Sequence, residues 1–182
     1  MNMETATKPN GGRPPALEMK AQISFGRQAL AELRTLVRNR PNPVNINGKR
    51  YLEFCDWQIL GAFFGITPYV VETREITEDI PSEAVPGWTF KKVIGFMARA
   101  EARQNGIVLS AAEAECMFDE PNWKKKPRFQ LRSMAETRAC ARVLRQCLQW
   151  VVKLPDERGK PSAEVFADES AEEADHQIEF EG

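Results

Sequence analysis

Histidine is almost missing: the sequence holds one, His176, set among acids near the C-terminus. Histidine general bases, Ser/His/Asp triads and Cys/His zinc sites therefore have nothing to work with in the body of the chain. No GxxxxGK(S/T) segment occurs, which excludes an ATP-driven motor of the P-loop kind. Gly11-Gly12 and Gly61/Gly65 make no dinucleotide fingerprint, and no cofactor is expected. The four cysteines, Cys55, Cys116, Cys140 and Cys147, form no CxxC pair. Met1 to Pro15 is polar and lacks the apolar centre of an export signal. The expectation is reduced, buried thiols in a cytoplasm. No apolar run reaches the ~18 residues that a membrane helix needs, so no membrane partner is expected.

What is present is charge, unevenly placed. From Pro155 onward there are ten acids and two bases, whereas the preceding residues carry 23 bases and 16 acids. A net charge of −1 thus hides a basic body of about +7 and an acidic tail of about −8. The polar, Gly/Pro-rich residues 1–16 and the acidic residues 155–182 are poor in large apolar groups, and disorder is expected for both. Residues 17–154 remain as the expected folded domain.

Local patterns give the order of elements. Leu17 to Asn39 predicts a helix with Ile23, Leu30, Leu33, Leu36 and Val37 on its apolar side, stopped at Arg40-Pro41. Asn47-Gly48 signals a turn, and Tyr51 to Phe64 a second helix ended by Gly65. Pro68 to Thr77 is β-branched and predicts a strand; Asp79 to Gly87, with Pro81 and Pro86, predicts a loop. Trp88 to Gln104 alternates, with Ile94, Phe96, Ala98 and Ala100 on one face and Met97, Arg99, Glu101 and Arg103 on the other. Asn105-Gly106 is a strong hairpin dipeptide, and Ile107 to Phe118 returns as its partner, with a helix as the alternative given its Ala/Glu content. The expected fold class is α+β. An antiparallel three-stranded sheet (a β-β-β-α core) packs on a long basic helix, with N-terminal helices before it and a disordered acidic tail after it.

That last helix, Gln130 to Val152, carries the functional signal. At ~100° per residue Cys140, Val143, Leu144, Cys147, Leu148 and Val151 fall on one side, and Arg138, Arg142 and Arg145 on the other. Lys124, Lys125, Lys126, Arg128 and Arg132 lead into it. Guanidinium groups displayed by an anchored helix suit a polyphosphate; a solvated helix face is the plain alternative. Trp123 and Phe129 beside those lysines could stack on unpaired bases or plug the core beneath the loop. Arg99 could extend the groove, although a polar outer strand face explains it as well. Tyr69 could stack on a base or pack with its hydroxyl bonded.

Two other classes compete. Glu113, Glu115, Asp119 and Glu120 near Lys124 to Lys126 hold the minimum residues for a magnesium-dependent nuclease, although a solvated strand face is the simpler account. An interaction or inhibitor protein, independent of nucleic acid and using its acidic tail as a DNA mimic, is the third.

The segment Arg132 to Arg145 (RSMAETRACARVLR) resembles the helix signature of single-strand annealing proteins of the Rad fifty-two and Erf type. Tyr51-Leu52-Glu53, Trp57 to Phe64-Gly65 and Tyr69 resemble the strand, helix and Phe-Gly turn that precede the sheet in that family. The likeness spans Val44 to Trp150. It implies a ββ-β-α core, homo-oligomeric rings or helical filaments, and a basic outer groove that holds single-stranded DNA. It further implies ATP-independent annealing in phage recombination and DNA repair, without covalent catalysis. Ala141 stands where eukaryotic members carry a second consecutive base, and Asp56 falls near their DNA-contacting arginine. The Lys124 to Arg128 cluster is expected to replace that contact. The tail is expected to be a solubilising terminus; the alternatives are a docking segment for a basic partner, such as a host or phage recombination protein, and a segment that folds over its own DNA groove and competes with DNA.

Overall fold

The computed structural model describes residues 16–42, 44–46 and 49–155. Nearly all of the expected tails, His176 and the Asn47-Gly48 turn lie outside them. The elements are α1 (Ala16–Arg38), β1 (Asn45–Ile46), β2 (Lys49–Arg50), α2 (Phe54–Phe63), β3 (Ile66–Pro81), β4 (Thr89–Gln104), β5 (Ile107–Met117) and α3 (Arg128–Val152). The expected succession of two helices, three strands and a helix is present, with β1 and β2 added as a small antiparallel pair.

Helix α2 begins later than its apolar pattern suggests because Glu53 caps it. The Glu53 side chain accepts from the third helical amide, and Asp56 accepts from the Glu53 amide at 2.9 Å, a capping box. Arg40, just past α1, ion-pairs with both Glu53 and Asp56. Asp56 is fully buried, so this fork satisfies a carboxylate that water cannot reach. The Asp56 position, which the resemblance aligns with a DNA contact, thus serves to join α1 to α2.

The three long strands form an antiparallel sheet in the order β3-β4-β5. Asn105 and Gly106 turn β4 into β5 with φ of 50° and 80°, the left-handed pair that a two-residue hairpin needs. The helical alternative for Ile107–Met117 is not adopted. Burial there alternates instead, with Ala114 and Cys116 buried and Glu113 and Glu115 exposed. Strand β3 also runs further than expected, through Asp79, paired with Lys91, to Pro81, paired with Thr89. Pro81 is tolerated because it ends an edge strand. Beyond Gly95 the sheet loses β5, so β3 and β4 continue alone as a two-stranded arm.

Helix α3 is buried on two sides. On β4, Phe96, Ala98, Ala100 and Ala102 form the buried row. Leu131, Ala135 and Ala139 of α3 are also fully buried and share a helix side with Arg138 and Arg142, which bond to β5. Small side chains on both surfaces let the helix lie close to the sheet. The opposite side of α3 meets α2, where Leu144 approaches Gly61. Buried Leu30, Leu33 and Val37 of α1 and Trp57 and Leu60 of α2 complete one continuous core. Phe64 joins Phe25 and Trp150 in edge contacts, with ring centroids 5.1 and 5.9 Å apart.

Candidate nucleic-acid interface

Two of the arginines opposite the apolar stripe of α3, Arg138 and Arg142, face strand β5. Arg138 is 5% exposed and grips Glu120 through two bonds, of 2.9 and 2.6 Å, while donating to the Glu115 carbonyl at 2.7 Å. Arg142 donates to the Glu113 carbonyl at 2.6 Å, and Gln146 receives the Ser110 hydroxyl one turn further on. Spaced by four, these side chains run along an edge strand, and the two arginines occupy backbone acceptors that would otherwise invite another chain. Arg138 is therefore a structural cation, closed off from an external phosphate. Arg142 and Arg145 are half-buried.

The cations ahead of them are open. Lys124, Lys125, Lys126, Arg128 and Arg132 are all exposed. Arg128 pairs with Glu75 of β3 at 2.6 Å, and Arg132 with Glu136 one turn on at 3.2 Å. Both are surface pairs, which stabilise little and exchange readily for another anion. The loop is wound into tight turns: Trp123 and Lys124 both donate to the Glu120 carbonyl, at 2.9 and 3.0 Å. Glu120 itself accepts the Met117 amide at 2.6 Å as well as Arg138. The buried Arg138–Glu120 pair thus fixes the loop that presents the lysines.

Between this loop and the base of the β3–β4 arm lies a cleft of about 620 Å³. Its rim carries Lys92, Lys124 and Arg128 with Glu78 and Asp119; its floor is Val93, Ile94, Met117 and Phe118. The structure brings Lys124 and Arg128 together and adds Lys92, which the sequence reading missed. Its only signal was the Lys91-Lys92 pair opening β4.

The aromatic residues divide. Trp123 is half-buried against the core and its indole Nε1 finds no hydrogen-bond partner among the described residues, whereas Phe129 is 69% exposed. Tyr69 is exposed on the outer sheet face, with the Arg103 guanidinium 5.1 Å from its ring centre. Arg99 lies on that face too, away from the cleft, 3.9 Å from Glu101 and in register with Glu72 and Glu113. Mixed charge makes this face a poor polyanion track.

Among the described residues Glu113, Glu115, Asp119 and Glu120 belong to no group of three or more potential metal ligands. Among the described residues the one close group of potential metal ligands is Glu53, Cys55 and Asp56. Arg40 already ion-pairs with both carboxylates of that group. The hydrogen bond to Asp56 holds the Arg40 guanidinium above its ordinary pKa. Partial burial, reinforced by Asp56, pushes the Cys55 thiol up; burial does the same for Cys140 and Cys147. None of the four cysteines forms a disulfide among the described residues. Among the described residues no helix is long and apolar enough to cross a membrane. The chain matches no family model, no curated protein and no solved structure.

Proposed function

We propose that this chain binds single-stranded DNA and anneals complementary strands without ATP, as a non-covalent recombination protein of the Rad fifty-two and Erf type. The observation that carries the reading is the cleft in which Lys92, Lys124 and Arg128 surround an apolar floor. Phosphates suit the rim, and the exposed faces of unpaired bases suit Phe118, Ile94 and the neighbouring Phe129. Lys125, Lys126 and Arg132 extend the positive surface along the start of α3. Cations that neutralise the backbone remove repulsion between two strands. Pairing then supplies about 1.4 kcal/mol per base-pair step, so no nucleotide hydrolysis is required.

Assembly into a ring or filament belongs to the same proposal. The arm supports it, since Val85, Trp88 and Phe90 near its tip are 44, 71 and 53% exposed, an apolar surface suited to a neighbouring subunit. A phage-encoded protein working in the bacterial cytoplasm, with the acidic tail available to a recombination partner, fits this picture. No cluster of described acids favours the nuclease alternative.

The test is binding and annealing of labelled oligonucleotides by Lys92→Ala/Lys124→Ala/Arg128→Ala. Affinity is expected to fall at least ~10-fold at low salt and the annealing rate with it, while the strand stays intact in magnesium. Wild-type affinity in the variant, or cleavage abolished by chelator, would reject the proposal.

A further inference from the structure

Helix α1 carries a second cationic surface, distinct from the arm cleft. Lys20, Arg27, Arg34 and Arg38 fall within an arc of about 40° on the helix, and its two acids, Glu18 and Glu32, lie at least ~120° away. Lys20, Arg27 and Arg38 are exposed and Arg34 is half-buried. Among the described residues none of the four forms an ion pair. The Arg34 Nε is buried and finds no hydrogen-bond partner among the described residues, an unmet donor on a charged group. Beside it a cleft of about 300 Å³ is lined by Ser24, Arg27, Gln28, Arg34 and Pro155.

Pro155 is where the acidic segment begins. The next two residues are Asp156 and Glu157, and the segment from Pro155 onward holds ten acids against two bases. We propose that residues 156–182 dock in cis along the α1 stripe, their carboxylates meeting Arg27, Arg34, Lys20 and Arg38. Reach is no obstacle. The stripe is about 27 Å long at ~1.5 Å per residue, and a segment of this length can span up to ~90 Å. Departure from the cleft itself places the first carboxylates at millimolar effective concentration, well above what a free acidic peptide would supply. Docking would screen the densest cationic row on α1 and leave the arm cleft as the open polyanion surface. The proposal does not depend on what the arm cleft binds.

The experiment follows cleavage after the tail glutamates by a glutamyl endopeptidase in the full chain. Wild-type protein at low salt is compared with Arg27→Gln/Arg34→Gln and with Lys20→Gln/Arg38→Gln. The second variant changes only exposed positions and serves if the first disturbs folding by circular dichroism. Severalfold faster cleavage is expected in the variants. It is expected in the wild type too at about 1 M salt, where the Debye length falls to ~3 Å. Equal cleavage of wild type and variants at low salt overturns the proposal. Protection that grows with protein concentration overturns it in favour of a neighbouring copy. Loss of oligonucleotide binding in the variants with unchanged tail cleavage overturns it in favour of nucleic acid on the stripe.

Discussion

The Arg138–Glu120 pair illustrates how a charge that reads as functional becomes structural. A guanidinium at 5% exposure is tolerable only because two carboxylate oxygens and a carbonyl receive it. Glu120→Ala removes the carboxylate from that buried charge, and a loss of about 3–5 kcal/mol is expected in urea unfolding. Lys124→Ala, at an exposed position, is expected to change stability by no more than ~0.5 kcal/mol while weakening oligonucleotide binding. Similar stability losses in both variants would dismiss the division of roles. The thiols give a second contrast. Cys55 is exposed, whereas Cys116 and Cys140 are buried, so alkylation should mark Cys55 first. A thiol pushed above its ordinary value carries less thiolate at neutral pH. Alkylation of Cys55 should therefore be slow at pH 7 and still climbing beyond about pH 9. Rapid modification at pH 7, read by mass spectrometry, would contradict this.

Strands and helices were legible in proportion to how strongly their pattern depends on one buried face. The β4 alternation of Phe96, Ala98 and Ala100 is a two-residue period, and it appears as a buried row. Asn105-Gly106 likewise specifies its own backbone. The second buried side of α3 was hidden because it is built from Ala135 and Ala139, which look neutral, and from arginines, which look exposed. Only the position of β5, far away in sequence, makes that side an interior. The arm cleft was half legible for a similar reason: Lys124 and Arg128 announce themselves, while Lys92 joins them only through strand pairing. Close approach of α3 to β4 predicts that Ala100→Leu costs about 1–3 kcal/mol by overpacking. Gly95 is a sharper case, where an added Cβ would stand 2.8 Å from the Cys116 carbonyl oxygen. Gly95→Ala should lower the thermal midpoint and disturb the point where the arm leaves the sheet. Unchanged midpoints for both variants would mean that the packing around β4, from α3 at Ala100 and from β5 at Gly95, is looser than the burial of these residues implies.

At the scale of the whole chain, charge is separated into a cationic body and an anionic tail, and that separation makes ionic strength the deciding variable. Each phosphate contact to a single strand adds about −0.7 to the slope of log affinity against log salt. Removing Lys92, Lys124 and Arg128 together should flatten the slope by about two if all three make phosphate contacts. Arg128 gives back part of its contribution because it must leave Glu75, so a measured change slightly below two is expected. The tail adds the opposite tendency, since salt that weakens DNA contacts also frees the α1 stripe. In Arg27→Gln/Arg34→Gln the salt slope should stay close to that of the wild type, because those cations are already screened by carboxylates when DNA arrives. A slope that falls equally in both sets of variants would mean that the strand tracks across α1 as well as the arm. The body would then be one continuous polyanion surface instead of a binding cleft and a separately covered helix.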